Sequence, residues 1–111
     1  MESLLAIPAF AALAQPTRLN AFKRLVEHGP GGMAAGELAD RLGVPANTLS
    51  AHLNVLSRAG LVTSERRSRS ILYRANIEQV RALVLFLLAD CCGGEAKRCA
   101  PALADLLPDC P

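Results

Sequence analysis

Ala46-Asn47-Thr48-Leu49-Ser50-Ala51-His52-Leu53-Asn54-Val55-Leu56-Ser57-Arg58-Ala59-Gly60 is the stretch on which the fold turns. Leu49, Leu53 and Leu56 recur at the spacing of one helical face, and Gly60 stands where that helix should stop. Just upstream, Ala34 to Leu42 carries Leu38 and Leu42 four apart, with Gly43 suited to a C-terminal cap. Val44-Pro45 makes the turn between them. Two short helices joined by a turn of about four residues form a helix-turn-helix pattern. In such a pair the second helix lies in the DNA major groove and its N-terminal residues meet base edges. With the leucines facing inward, Asn47, Thr48, Ala51 and His52 are expected to face outward, with Asn54 or Val55 beside them. Asn can pair bidentately with adenine, and Thr and Ala methyls can touch thymine methyls. His52 suits a phosphate or a base; its alternative is an ordinary exposed histidine.

Downstream the period changes from helical to alternating. Leu61 to Glu65 and Ile71 to Arg74 read as two strands, with Arg66-Arg67-Ser68-Arg69-Ser70 as the tip of a hairpin. Arg58, Arg66, Arg67, Arg69 and Arg74 crowd a stretch whose single acid is Glu65, although the net charge of the chain is only +2. A locally basic segment on a near-neutral protein fits a phosphate-contacting surface; a solvated loop is the alternative. Arg66, Arg67 and Arg69 are the expected contacts. Asn76 with Gln79 three residues on is a variant capping box that opens a last helix from Ile77 to about Asp90.

Upstream of the motif, Pro16 suits the first turn of a helix bearing Leu19, Phe22, Leu25 and Val26, and Gly29-Pro30-Gly31-Gly32 ends it. Leu4, Leu5, Ile7, Phe10 and Leu13 fit an amphipathic first helix better than a secretion signal, because no basic residue precedes Arg18. The run from Ala82 to Ala89 is too short to span a bilayer, which takes about 20 residues. The chain therefore reads as cytoplasmic, and its four cysteines as thiols rather than a disulfide framework.

Hydrophobic residues make up 51% of the 111 residues but aromatics only 4%, so the surplus is Ala, Leu and Val. Val84 to Leu88 is apolar all round, and a terminal helix without a polar face needs cover on both sides. A second copy supplies it, with Leu13, Val84 and Leu88 expected at the seam. The expected fold class is mainly α with a small β-hairpin: a winged helix-turn-helix dimerising through its N- and C-terminal helices. Residues 1–92 would form the DNA-binding and dimerisation domain and 93–111 a cysteine-containing tail. No catalytic dyad, phosphate-cradling loop or cofactor motif is present in the sequence, so an enzyme is not expected.

Gln15-Pro16-Thr17-Arg18-Leu19, Glu37-Leu38-Ala39, Thr48-Leu49-Ser50-Ala51-His52-Leu53-Asn54-Val55-Leu56 and Ala59-Gly60-Leu61-Val62 resemble the ArsR/SmtB family of metal- and metalloid-responsive repressors, over about residues 8 to 92. The resemblance implies a homodimer on double-stranded operator DNA. Two positions depart from the family pattern. Gln15 replaces the usual acid before Pro16, and Ser68 replaces the usual glycine at the hairpin tip.

The inducer is sought in the same resemblance. One family arsenic site is a Cys-x-Cys at the start of the first motif helix, where this chain has Ala34-Ala35-Gly36. Zinc-type members use His and carboxylates on the last helix, but the two histidines here are His28 and His52. All four cysteines, Cys91, Cys92, Cys99 and Cys110, follow the last helix, and Cys91 to Cys99 resembles arsenic repressors with a C-terminal three-thiol site. Soft thiolates select thiophilic ions, and three sulfurs suit the pyramid of As(III). Neighbouring helical residues point about 100° apart. Gly93-Gly94 would permit the unwinding that lets Cys91 and Cys92 share one ion. Lys97 and Arg98 favour the thiolate of Cys99. The expected metal site is Cys91, Cys92 and Cys99, with As(III) as inducer and Sb(III) as a second one, and with Cys110 a bystander. The alternatives are a four-thiolate Cd(II), Pb(II) or Zn(II) site, a thiol redox switch, and a metalloid-sequestering protein without a DNA role.

Overall fold

The computed structural model describes residues 2–88. Within them run α1 (Ser3–Leu13), α2 (Pro16–His28), β1 (Met33–Ala34), α3 (Ala35–Leu42), α4 (Ala46–Arg58), β2 (Val62–Arg67), β3 (Ser70–Ala75) and α5 (Ile77–Leu87). Helices α3 and α4 are the expected motif and β2–β3 its wing. The expected strands lengthen, and the hairpin tip shrinks from five residues to Ser68-Arg69, so Arg66 and Arg67 stand on β2. A third strand that the sequence reading lacked, β1, pairs antiparallel with β3 (Met33 opposite Tyr73), giving the sheet order β1-β3-β2. The last helix is described only to Leu87; its expected end near Asp90 lies outside the described residues.

The leucine stripe of α4 is the centre of the core: Leu49, Leu53 and Leu56 are fully buried, with Leu25, Met33, Leu38, Leu61 and Val62 around them. On α2, Phe22 and Leu25 are buried but Leu19 and Val26 are exposed, and Ala21 takes their place. Those two lie about 90–110° round the helix from the centre of the buried face, at its flank. Gln15 fills the N-cap of α2 despite the missing acid, its side-chain oxygen accepting the Arg18 backbone N–H at 2.8 Å. Gly43 ends α3 in the left-handed conformation (φ 70°), where a side chain is disfavoured.

Helix α1 is built inside out. Its alanines Ala6, Ala9 and Ala12 are buried against the domain, while Leu4 (80% exposed), Leu5 and Ile7 (64%) face away. Small residues on the inner face allow close approach, and the large ones are left without cover. Helix α5 behaves alike: Leu83 is buried, and Leu87 is 62% exposed. Leu13, expected at the seam, is partly buried against the core in the single chain.

The wing tip holds a local strain. Ser68, first of the two turn residues, has φ 54°, and it is the described non-glycine residue with positive φ. An L-residue pays roughly 1–2 kcal/mol in this region, partly offset on substitution by the greater entropy glycine loses. Ser68→Gly is expected to stabilise the hairpin by about 0.5–1 kcal/mol, read as a rise of a few degrees in thermal midpoint.

Candidate nucleic-acid interface

The exposed face of α4 is assembled by default, since the opposite face is committed to the core. Asn47, Thr48 and Ala51 are exposed at its N-terminal end, followed by Asn54 and Val55. Pro45 occupies the N-cap position without a side-chain cap, and Asn47 Oδ1 accepts the Thr48 N–H at 3.0 Å. The helix carries no acidic residue from Ala46 to Arg58. Free N–H groups and the positive end of the helix dipole thus point outward with no carboxylate to oppose them, which favours a polyanion.

His52 is placed differently from its neighbours. It is half-buried, with Nδ1 3.4 Å from the guanidinium of Arg18. Guanidinium only donates, so this contact needs Nδ1 as acceptor and leaves the ring hydrogen on Nε2. Arg18 also donates from Nε to the carbonyl of Ala12 at 2.6 Å. It therefore braces α4 against α1, a link that the sequence, with the partners 34 positions apart, does not display.

On the wing, the arginines of the basic stretch have different jobs. Arg74 is only 26% exposed and donates to Glu65 at 2.9 Å and to the carbonyl of Pro30 at 3.0 Å. It ties β3 to β2 and to the loop after α2, so it is committed to the fold and not to a phosphate. Arg67 pairs with the same Glu65 at 3.4 Å. Arg66 and Arg69 are exposed and form no salt bridge among the described residues.

The hydrogen bond from Arg74, then the charge of Arg67, holds the Glu65 carboxyl below its ordinary value of 4.5. A lowered carboxyl contributes stability that is full above its unfolded value and is lost as pH falls through the folded value. The wing is therefore expected to loosen as pH drops below about 4.5. A stability-against-pH curve should be flatter in that window for Glu65→Gln.

Expected ligand residues Cys91, Cys92 and Cys99, and the bystander Cys110, lie outside the described residues. Among the described residues no group of three His, Cys, Asp or Glu side chains is placed to hold a metal ion. No described helix is long and apolar enough to cross a membrane.

A helix pair with an exposed, acid-free second helix and an arginine-bearing hairpin defines a winged helix-turn-helix module. The sequence profile of the helix-turn-helix domain matches residues 13–65. The transcriptional repressor SmtB of Mycobacterium tuberculosis is 38% identical over 78 residues, covering 70% of this chain and 56% of that protein. An ArsR-like transcriptional regulator from Rhodococcus superposes with a TM-score of 0.71 at 31% identity, over 93% of this chain and 92% of that one. A homodimeric winged helix-turn-helix DNA-binding domain from Mycobacterium bovis gives 0.64 at 27% identity, over 77% of each chain. The chain belongs to the ArsR/SmtB family of winged helix-turn-helix transcriptional regulators. It spans about 56–60% of the length of the curated relatives it matches first. These relatives are named as transcriptional regulators rather than enzymes.

Proposed function

We propose that the chain acts as a homodimeric repressor that holds operator DNA and releases it when As(III), or Sb(III), closes on Cys91, Cys92 and Cys99. The observation that carries the DNA half is the acid-free N-terminal face of α4, together with Arg66 and Arg69, which form no salt bridge among the described residues. Asn47, Thr48 and Ala51 read base edges in the major groove. His52, braced by Arg18, presents its other ring nitrogen. The wing arginines lie along the phosphates.

A dimer is supported by the uncovered apolar surface. Leu4, Leu5 and Pro8 of α1, with Ala82 of α5, line the apolar side of a groove of about 480 Å³, and Ile7 of α1 and Leu87 of α5 are exposed. A seam through α1 and α5 covers them and sets two recognition helices on the two halves of an inverted repeat. That a relative is homodimeric supports a two-chain assembly. The metalloid half rests on thiol chemistry and on the likeness of residues 91–99 to arsenic repressors; the domain thus spans residues 1–92, with 93–111 its sensing tail. A cytoplasmic setting keeps those thiols reduced.

The decisive experiment is DNA release measured with As(III), Sb(III), Cd(II) and Zn(II) under reducing conditions, and with peroxide in their absence. Release by As(III) at the lowest concentration supports the reading. Release by Cd(II) or peroxide alone overturns the metalloid assignment.

The wing gives a graded prediction. Arg66→Ala and Arg69→Ala are each expected to reduce the salt dependence of DNA binding by about one counterion and weaken all sequences alike. Arg67→Ala is expected to do less, because Glu65 already holds it. Thr48→Ala should instead cost about 1–3 kcal/mol at one base position and relax its preference. Equal losses at Arg67 and Arg69 would show that Glu65 releases Arg67 on DNA.

A further inference from the structure

We propose that Asn76 and Gln79, at the start of α5, determine the half-site spacing this regulator accepts, by locking the end of the recognition helix to the dimerisation helix. The inference rests on the reading of the chain as a dimeric DNA-binding protein and goes beyond it.

The end of α4 is a closed cap. Gly60 stands at φ +79°, and the Leu61 N–H donates to the Leu56 carbonyl at 3.0 Å and the Gly60 N–H to the Ser57 carbonyl at 3.0 Å. This turn leaves the carbonyls of Ala59, Gly60 and Leu61 facing outward from the helix, and α5 accepts the task of satisfying all three. The Asn76 backbone N–H donates to Leu61 at 2.8 Å, Asn76 Nδ2 donates to Gly60 at 2.9 Å, and Gln79 Nε2 donates to Ala59 at 3.4 Å. Asn76 uses both ends of its amide. Its Oδ1 accepts the Gln79 N–H at 3.4 Å, which caps α5, while its Nδ2 reaches back to α4. With the oxygen on an N–H and the nitrogen on a carbonyl, the amide has one satisfactory orientation. A side chain at Gly60 would be disfavoured by its φ and would meet Gln79 Nε2 at 3.3 Å.

Leu49, Leu53 and Leu56 bury one face of α4, but apolar contact is non-directional and fixes the roll of a helix weakly. Hydrogen bonds to three successive carbonyls are directional and remove that freedom. Because α5 carries the seam, the roll and position of each recognition helix become fixed relative to the two-fold axis. One added base pair moves a half-site by about 3.4 Å along the duplex and turns it by about 34–36°, so a rigid dimer fits one separation of half-sites.

Asn76→Ser tests this while sparing the fold. Serine still caps α5 and keeps the backbone bond to Leu61, but it has no donor that reaches the Gly60 carbonyl. Gln79→Ala removes the third bond separately. The operator is first recovered by in vitro selection with the full chain. Affinity is then measured for that duplex and for duplexes with half-sites one base pair closer and one farther apart. The wild-type chain is expected to prefer one spacing. Each variant should stay dimeric by sedimentation and lose about five- to tenfold of that preference, mostly by binding the altered spacings relatively better. Should Asn76→Ser fail to fold, Gln79→Ala decides. An unchanged ratio of affinities between spacings in the folded variants overturns the proposal. A wild-type chain that enriches no duplex overturns the DNA-binding reading itself, a separate result.

Discussion

Leu87→Glu is expected to convert the protein to monomers and to weaken operator binding by about 100-fold or more. Leu87 is 62% exposed in the single chain, so a carboxylate there costs the isolated fold little. In the proposed dimer the same position would be covered. Each copy loses the burial of a leucine and must desolvate a charge, together about 2–4 kcal/mol. An isologous seam counts every substitution twice, so the dimer loses about 4–8 kcal/mol, a factor of at least about 10³ in its dissociation constant. The DNA effect follows from linkage. Two joined reading heads gain about 10²–10⁴ over one, and a monomer forfeits that gain without losing a single base contact. Val84→Glu should act in the same direction with some loss of stability, since Val84 is half-buried in its own chain. Sedimentation showing an intact Leu87→Glu dimer would remove α5 from the seam.

What the sequence reveals and conceals divides along physical lines. The α4 stripe is legible because one helix face repeats at a fixed period and its three leucines all reach the core. Strand β1 is not, because Met33–Ala34 is too short to show a period and owes its existence to Tyr73 and Leu72 far along the chain. The wing was legible as a hairpin but not in its register. Beyond Val62, β2 is polar on both faces, so alternation gives no mark of where it ends, and Arg66 and Arg67 read as tip residues. Register also separates the arginines. Arg74 faces the side of the sheet that holds Glu65, whereas Arg66 lies on the opposite side. Before the pairing is known they are alike. Asn76 shows the same limit at one residue: its cap on Gln79 is a local signature, but its bond to Gly60 spans 16 residues and follows only from the fold.

Replacing Cys91, Cys92 or Cys99 singly by Ser is expected to leave DNA binding intact and to abolish or blunt its release by As(III), while Cys110→Ser stays near normal. Three thiolates complete the coordination of As(III), so loss of any one leaves the set incomplete. An inducer works only through differential affinity for the two conformations. Typical couplings of about 1–3 kcal/mol shift DNA affinity by about 5–150-fold, so a modest loss of arsenic affinity in one conformation suffices to blunt the response. Position in the sequence makes the route to DNA short. Cys91 and Cys92 follow Leu87 by four and five positions in the sequence, and at the start of α5 Asn76 holds α4. In the proposed switch, thiols that close just after α5 in the sequence would act on the helix whose start is bonded to α4. Arsenic stoichiometry and DNA release are measured for all four serine variants. A Cys110 variant that fails to respond beside a Cys99 variant that responds normally would move the site to Cys91, Cys92 and Cys110.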